Sequence, residues 1–235
     1  MAGKEGFVYE KKINDLLKKY EIEDPSFQPA ASDSNAPDAE LLLSGKKYKV
    51  EVKLDLKVDF GQGSFDYDLK KDKWILGGAD TPSAKHMREF LEEIGVLKMV
   101  NSSRGWGGKG PPRKFTVPLK KFKPEDVKYD YANFTDKFID VPSDAVSNYY
   151  ASKKTYYIQI GDGYGLYHMK SDPAKLGTSP FSPTLRLRIR LKRGGSNPIY
   201  NYRFSTALQA KSLSKSKVDL ENKEDIEAIA ARSKK

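Results

Sequence analysis

The stretch PDAELLLSGKKYKVEVKL, residues 37–54, decides the fold of this chain. Apolar side chains alternate with polar ones along Tyr48 to Leu54, and this period of two is typical of a β-strand with one buried face. A shorter apolar run precedes it, and the turn SGKK, residues 44–47, separates the two. The stretch therefore predicts a β-hairpin whose second strand buries Val50 and Val52.

Polar residues of this hairpin converge at one end. The period of two places Glu51 and Lys53 on the same face of the second strand, and Asp38 can bring its carboxylate to the same end from the first strand. Mg²⁺ takes oxygen ligands and usually keeps several waters for a substrate phosphate. A lysine beside such an ion can polarise a bound water or stabilise charge on a phosphoryl group. These residues predict a divalent-metal site, and the alternative is the solvated face of an amphipathic hairpin.

The spacing of these residues resembles a nuclease signature. Pro37-Asp38, a gap of twelve residues and then Glu51-Val52-Lys53 resemble the motif of the PD-(D/E)XK superfamily, to which restriction endonucleases and Holliday-junction resolvases belong. The resemblance covers roughly the first 100 residues. It implies an α/β (α+β) fold with a restriction-endonuclease-like core, in which helices flank a central mixed sheet, followed by a β-rich C-terminal elaboration.

The same resemblance implies a metal-dependent DNA endonuclease whose products carry 5′-phosphate and 3′-hydroxyl ends. Asp38 and Glu51 would bind Mg²⁺, for which Mn²⁺ can substitute, together with the backbone carbonyl of Val52. Lys53 would position or activate the attacking water.

A helix is predicted from Glu5 to Tyr20, where Ile13 and Leu17 belong to an apolar stripe. Glu10 lies along the edge of that stripe, where an unpaired carboxylate is costly. Its context, GFVYE at residues 6–10, resembles the Gly-x-x-x-Glu of the first helix in many nucleases of this superfamily. The resemblance implies that Glu10 is a further catalytic and metal-binding residue, and the alternative is a surface glutamate.

Gln62 is a further candidate for the active site. It lies between two glycines in GQGS, residues 61–64, which reads as a turn. Some nucleases of the superfamily carry a glutamine downstream of the acidic-x-Lys strand that helps to orient the site. The resemblance implies this catalytic role for Gln62, and the alternative is an ordinary hairpin loop.

The composition restricts the class of protein. The 235 residues include no cysteine, which excludes disulfides and thiolate sites, and only two histidines far apart in sequence, which argues against multi-histidine zinc sites. No apolar run approaches the roughly 18 to 20 residues that span a bilayer, and the N-terminus lacks the apolar core of a signal peptide. We therefore expect a soluble intracellular protein, cytoplasmic in a prokaryote or phage, with no membrane partner. The net charge of +10 favours a polyanion, and we expect double-stranded DNA.

A later strand pattern carries a row of cations. Apolar residues from Leu185 to Leu191 alternate with four basic ones, Arg186, Arg188, Arg190 and Lys192. The rise of a strand spaces these cations about 6.6 Å apart, which is close to the phosphate repeat of one nucleic-acid strand. We expect this face to contact DNA, and the alternative is neutralisation by acidic residues of a neighbouring strand.

The segment NSSRGWGGKGPPRK, residues 101–114, is rich in glycine, proline and cations around one tryptophan. A flexible basic loop with an aromatic side chain can enter a groove or hold phosphates. The alternative is a mobile linker. The candidate DNA contacts in this segment are Arg104, Trp106, Lys109, Arg113 and Lys114.

Other patterns outline the rest of the chain. A helix is predicted from Pro82 to Gly95 and a strand from Phe115 to Leu119. Beyond that point the signals are mostly strand-like and basic. We therefore predict a nuclease core at residues 1–119 and a β-rich, DNA-binding region at residues 120–235, which is either a second domain or part of the same one.

Three classes of function remain open at this point. The first is the metal-dependent endonuclease, for which a homodimer is sensible because a double-strand cut needs two active sites. The second is a non-catalytic, basic nucleic-acid-binding protein, which would bind in the absence of metal and cleave nothing. The third is an assembly protein whose tyrosine-rich β half mediates contacts between copies.

Overall fold

The computed structural model describes residues 4–27, 37–193 and 201–233. The helices in these ranges are α1 (Lys4–Lys19), α2 (Pro82–Glu93), α3 (Val96–Val100), α4 (Arg113–Thr116), α5 (Pro124–Asn133), α6 (Ala145–Ser152) and α7 (Lys223–Ser233). The strands are β1 (Ala39–Leu43), β2 (Lys46–Lys53), β3 (Gly61–Asp68), β4 (Lys73–Gly77), β5 (Lys137–Val141), β6 (Thr155–Ile160), β7 (Gly165–His168), β8 (Ser179–Pro180), β9 (Thr184–Arg193) and β10 (Tyr202–Ser212).

The chain divides into two compact units, and each is assembled from separate stretches of sequence. The first unit comprises Met1–Val58, Ser143–Thr184 and Ala210–Lys235, and the second comprises Asp59–Pro142 and Leu185–Gln209. This division differs from the predicted boundary at residues 119/120. The reason is long-range strand pairing, because β2 pairs with β6 in the first unit and β3 pairs with β10 in the second.

The first unit is built on a mixed sheet of strand order β1-β2-β6-β7-β8. Antiparallel pairs β1–β2 and β6–β7 flank a parallel pair, β2–β6, in which Val52 lies opposite Gln159. Helices α1 and α7 supply Ile13, Leu17 and Ile226 to the apolar core on this sheet. The predicted mixed α/β architecture, with helices flanking a mixed sheet, is confirmed.

The predicted hairpin is confirmed and forms the edge of this sheet. Ser44 and Gly45 both have positive φ angles, 49° and 74°, as the two central residues of a type I′ turn require. Leu43 and Lys46 therefore face each other across the turn, and the register continues to Ala39 opposite Val50. This register fixes which end of β2 lies beside the start of β1.

The second unit contains a sheet of order β4-β3-β10-β9-β5. Its core is aromatic, with the rings of Trp74 and Trp106 4.9 Å apart and those of Trp74 and Phe204 4.8 Å apart. The predicted helix after β4 is confirmed as α2, which buries Phe90 and Leu91. Across the described ranges of the chain, no helix is both long and apolar enough to cross a membrane.

Two local predictions in the second unit are wrong. The strand predicted over Phe115 to Leu119 is replaced by α4 and a 3-10 turn at Leu119–Lys121. The cause is the carboxylate of Asp130, which accepts hydrogen bonds from the backbone N–H groups of Arg113 and Lys114 and so caps a helical turn.

The stretch GQGS, read as a turn, begins strand β3 instead. It pairs with β10 along its length, with Gly63 opposite Thr206. A Cβ at Gly63 would lie 2.4 Å from Leu91 Cδ1, so a larger residue here would force the buried Leu91 side chain of α2 to shift. Close packing by a helix, which local sequence does not reveal, explains this glycine.

Candidate active site

Asp38 is held at the entrance to β1 by two neighbouring elements. Its Oδ2 accepts a hydrogen bond from the backbone N–H of Val52 at 2.9 Å. Its backbone carbonyl accepts one from Nδ2 of Asn14, also at 2.9 Å. Burial, reinforced by the negative charge of Glu51, raises the pKa of the Asp38 carboxyl group to about 7. The carboxylate form is therefore costly in this protein unless a cation offsets it.

Glu51 and Lys53 lie on the same face of β2, as the alternation predicts. The Lys53 ammonium group donates a hydrogen bond to Oε1 of Glu51, and their side chains are only 19% and 13% exposed. Burial alone would lower the pKa of Lys53, but the charges of Glu51, Asp38 and Glu10 raise it. Lys53 is therefore protonated at neutral pH.

Glu10 belongs to the same electrostatic cluster. It lies on α1, and burial raises the pKa of its carboxyl group, with Lys53 lowering it and Glu51 raising it. Asn14, one turn further along the helix, donates to the backbone carbonyls of both Glu10 and Asp38. The Asn14 amide thus fixes the helix carrying Glu10 against the residue that enters β1.

The cluster carries more negative than positive charge. Its three carboxylates, Asp38, Glu51 and Glu10, face one ammonium group, that of Lys53. A hard divalent cation with oxygen ligands would offset this excess, so the donor set fits Mg²⁺. In the ranges that the structure describes, no three acidic or histidine side chains are arranged to hold a metal ion by themselves. The fit is therefore to an ion bound by one or two carboxylates, with waters and substrate oxygens completing its shell.

The predicted roles of Glu10 and of the Val52 carbonyl as metal ligands remain predictions. Val52 is 2% exposed, and its N–H group is the one that binds Asp38. In the structure, Val52 therefore orients the carboxylate of Asp38 through its N–H group.

Tyr150 is a residue of the site that sequence reasoning missed. Its hydroxyl group donates to Oε1 of Glu51 at 2.9 Å, although 99 positions separate the two residues. Burial and the charge of Glu51 raise the pKa of the Tyr150 phenol, so it stays protonated and remains a donor. Helix α6, which carries Tyr150, contacts β6, the neighbour of β2 in the sheet.

A second missed group lies behind the cluster and is built on Gln159. This side chain is fully buried, and its Nε2 donates to Oδ1 of Asp219 at 2.8 Å and to the Tyr9 hydroxyl at 3.3 Å. Tyr9 in turn donates to Glu221 at 2.8 Å. This network attaches α1 to β6 and to the C-terminal segment, and so positions Glu10, the residue after Tyr9.

Gln62 forms its hydrogen bonds within the second unit. Its Nε2 donates to Asp59 at 2.9 Å and its Oε1 accepts from Lys192 at 3.2 Å. Its catalytic role therefore stays a prediction. Among the residues that the structure describes, Gln159 is the glutamine that hydrogen-bonds within the first unit, and it has no local sequence signal.

The predicted contact between Trp106 and DNA is wrong. Trp106 is 1% exposed, and its indole N–H donates to the carbonyl of Thr135 at 3.0 Å. Residues 101–112 connect α3 to α4, and the Trp106 ring in this connection packs against Trp74 and Phe204 in the aromatic core of the second unit. In the same segment Arg104 and Lys109 are exposed.

The last two cations of this segment have aromatic partners. The Arg113 guanidinium lies 4.7 Å from the ring centre of Tyr129. Lys114 donates to the carbonyl of Tyr202, and burial lowers its pKa. These contacts restrict both side chains, and their predicted role in binding DNA stays untested.

The basic row on β9 is partly neutralised, as the alternative interpretation allows. Arg188 pairs with Asp136, and Arg190 Nη2 lies 3.0 Å from Asp59. The Arg186 guanidinium lies 4.3 Å from the ring centre of Phe138. The Lys192 ammonium group donates a hydrogen bond to the neutral side-chain amide of Gln62. Of the row, Arg186 and Lys192 have no carboxylate partner among the described ion pairs.

Comparisons with known proteins give few matches. No family model matches this chain, and no curated protein matches it. A solved structure of the HhaI endonuclease in complex with DNA is similar to it, with a TM-score of 0.45 and 13% sequence identity over 98% of this chain and 100% of that chain.

Proposed function

We propose that this chain is a metal-dependent DNA endonuclease that hydrolyses phosphodiester bonds to 5′-phosphate and 3′-hydroxyl ends. The observation that carries the proposal is the buried cluster in which Asp38, Glu51 and Glu10 outnumber the single ammonium group of Lys53. Such a cluster is unfavourable alone and suits a cation that is delivered with a phosphate substrate.

The oxygens of Asp38 and Glu51 are the proposed ligands. A bound Mg²⁺, for which Mn²⁺ would substitute, would supply electrostatic stabilisation of the negative charge that develops on the scissile phosphate. Lys53 is protonated, so its role is to orient the attacking water and to stabilise that charge through hydrogen bonds. Tyr150 orients Glu51, and Asn14 and the N–H group of Val52 orient Asp38.

The proposed substrate is double-stranded DNA. The net charge of +10 supports a polyanionic partner, since cations that neutralise phosphates release counterions. A homodimer remains a proposal for cleavage of both strands, and light scattering of the protein with and without DNA tests it.

The test uses supercoiled plasmid with Mg²⁺ or with EDTA. The Glu51→Gln variant removes one charge from the cluster, and Asp15→Asn is its matched control. Asp15 lies on the same unit and pairs with Lys11, but its side chain is 57% exposed. We expect nicking or linearisation that requires Mg²⁺, is lost in Glu51→Gln and is unchanged in Asp15→Asn. Full cleavage by a Glu51→Ala, Lys53→Ala double variant would contradict the proposal.

A second candidate is a non-catalytic DNA-binding protein. The observation that favours it is the direct ion pair between Lys53 and Glu51, which satisfies part of the charge without a metal. It predicts that the plasmid stays intact and shifts equally in gels with Mg²⁺ and with EDTA. A strong decrease of this shift with salt would accompany it.

A further inference from the structure

The second unit contains a small cavity that the proposed active site does not use. Its volume is about 220 Å³, and it lies among β3, the end of β4, α2, β9 and β10. This is below the range of about 300 to 1,000 Å³ that is usual for drug-sized ligands, so it suits a small polar group. The lining residues that matter here are Ser64, Gly78, Arg88, Lys192, Arg203 and Ser205.

The charge of this cavity is positive. Three cations line it, Arg88, Lys192 and Arg203, and the residues that the structure assigns to its lining include no carboxylate. Arg88 has one weak ionic neighbour, Asp80, at 3.8 Å, and the Asp80 side chain is fully exposed. Burial and the neighbouring charges of Arg190 and Arg203 lower the pKa of Lys192, although Asp59 opposes this. These like charges are held close together, and an anion would relieve their repulsion.

A buried hydroxyl group supplies an independent sign of a ligand. Ser205 lines the cavity and is only 4% exposed, yet its Oγ has no hydrogen-bond partner in the structure. Buried hydroxyl groups without partners are rare in folded proteins because each costs about 1 to 3 kcal/mol. Ser205 lies directly opposite Ser64 across the β10–β3 pair, so two serine side chains meet at this position of the sheet.

Gly78 leaves space where donors converge. Its φ angle is +119°, a conformation that other residues rarely adopt. A Cβ built on Gly78 would lie 3.2 Å from Oγ of Ser64 and 3.7 Å from Nη1 of Arg88. A hydroxyl group and a guanidinium group, whose Nη1 also donates to the carbonyl of Ala79 at 2.9 Å, therefore border the same small volume, which glycine leaves open.

The N-terminus of helix α2 adds to the positive charge around the cavity. Ala84, in the first turn of the 12-residue helix α2, also lines the cavity. The N-terminus of a helix carries a partial positive charge that favours anions. Guanidinium, ammonium and hydroxyl groups that line one small volume are the groups with which proteins bind phosphate.

We propose that this cavity is a phosphate-binding site, with Arg88, Lys192 and Arg203 supplying charge and Ser64 and Ser205 supplying hydroxyl donors. The phosphate has two possible sources, the backbone of a nucleic-acid strand or a free nucleotide, and we favour the backbone because the whole chain is strongly basic. The site does not depend on the proposed cleavage chemistry. A DNA-binding protein without catalytic activity would use it equally.

The test measures binding in EDTA, so that its outcome is separate from cleavage. Fluorescence anisotropy with a labelled DNA duplex compares wild type, Arg88→Gln and Ser205→Ala over a series of salt concentrations. Lys85→Gln is the matched control, because Lys85 is an exposed cation of the same helix α2 that does not line the cavity. Ser205→Ala removes only an unpartnered hydroxyl group, so we expect it to fold normally.

We expect Kd to rise about tenfold for Arg88→Gln, with a salt slope lower by about one, and about threefold to tenfold for Ser205→Ala. Lys85→Gln should change Kd by less than about twofold. In a parallel arm, inorganic phosphate and dAMP are titrated against the melting temperature of the same proteins. In one outcome, phosphate or dAMP raises the melting temperature of wild type but not of the two variants, while DNA affinity is the same in all three. This outcome would support the phosphate site and overturn the DNA backbone as the source of its phosphate. Unchanged DNA affinity together with no such shift would overturn the site itself.

Discussion

Each unit of this protein contains a cluster with an excess of charge, and the sign of the excess differs between the two. In the first, buried carboxylates around Asp38 exceed the one cation that contacts them, and in the second, the cations around Ser205 exceed the carboxylates within reach. Each cluster is held by a sheet and a helix, so neither is able to relax simply by moving side chains into water. The two proposals rest on this difference, because an excess of carboxylates suits a divalent cation and an excess of cations suits a phosphate group.

The largest effect is expected from Asp38→Asn. Loss of this carboxylate should lower the rate of DNA cleavage by about a thousandfold, which corresponds to about 4 kcal/mol of transition-state stabilisation. In EDTA the same variant should melt at a higher temperature than wild type, because the substitution removes a buried charge from an acidic cluster. Plasmid cleavage and thermal melting check the two outcomes. A variant that is inactive and also less stable in EDTA would indicate that Asp38 is structural.

The Trp106→Ala variant distinguishes a role of Trp106 in core packing from a role in contacting DNA. We expect a loss of about 3 to 5 kcal/mol in the free energy of unfolding, because the side chain is 1% exposed and packs against Trp74 and Phe134. Denaturant unfolding measures this change. Under conditions where the variant is folded, its DNA affinity should equal that of wild type. Normal stability together with weakened DNA binding would instead support a direct contact between Trp106 and DNA, which the burial of Trp106 argues against.

Tyr150→Phe should reduce kcat about tenfold while leaving KM nearly unchanged, because it removes one hydrogen bond to Glu51 and retains the ring. Its matched control is Tyr156→Phe, whose phenol is partly exposed and whose ring contacts Tyr48. Steady-state cleavage of a labelled duplex distinguishes the two variants. Equal activity of Tyr150→Phe and wild type would mean that Glu51 needs no orientation by this helix.

A further expected effect is a dependence of stability on pH in EDTA. The pKa of Asp38 is about 7 in the folded chain and about 3.9 in the unfolded chain, so between these values the folded state binds more protons. The contribution of this group to stability is therefore complete below about pH 4 and is lost as pH rises towards 7. The melting temperature of wild type minus that of Asp38→Asn should fall as pH rises from about 4 to about 7. Excess Mg²⁺ should remove this dependence on pH. A difference that rises with pH would contradict the assignment.

Much of the candidate site was predictable because it is local. Asp38, Glu51 and Lys53 belong to one hairpin, where the period of two and the Ser44-Gly45 turn together determine facing and register. Glu10 was predictable from helical spacing. Tyr150 and Gln159 were not, because their contacts with Glu51 and Asp219 depend on chain segments that are distant in sequence. Trp106 was misread for the same reason, since a tryptophan among glycines carries no sign of the core that surrounds it.

The amino-acid sequence by itself determined the hairpin, the helix α1, the order of apolar and basic positions on β9 and the acidic-x-Lys triplet. These follow from local periodicity and turn chemistry, which act over a few residues. Tertiary structure alone decided which stretches of sequence make up each unit, the burial that raises the pKa of Asp38 and the pairing of Ser205 with Ser64 in a cavity that Arg88 also lines. The physical reason is that burial and electrostatic coupling depend on which strands pair, and β2 with β6 and β3 with β10 pair across more than a hundred residues.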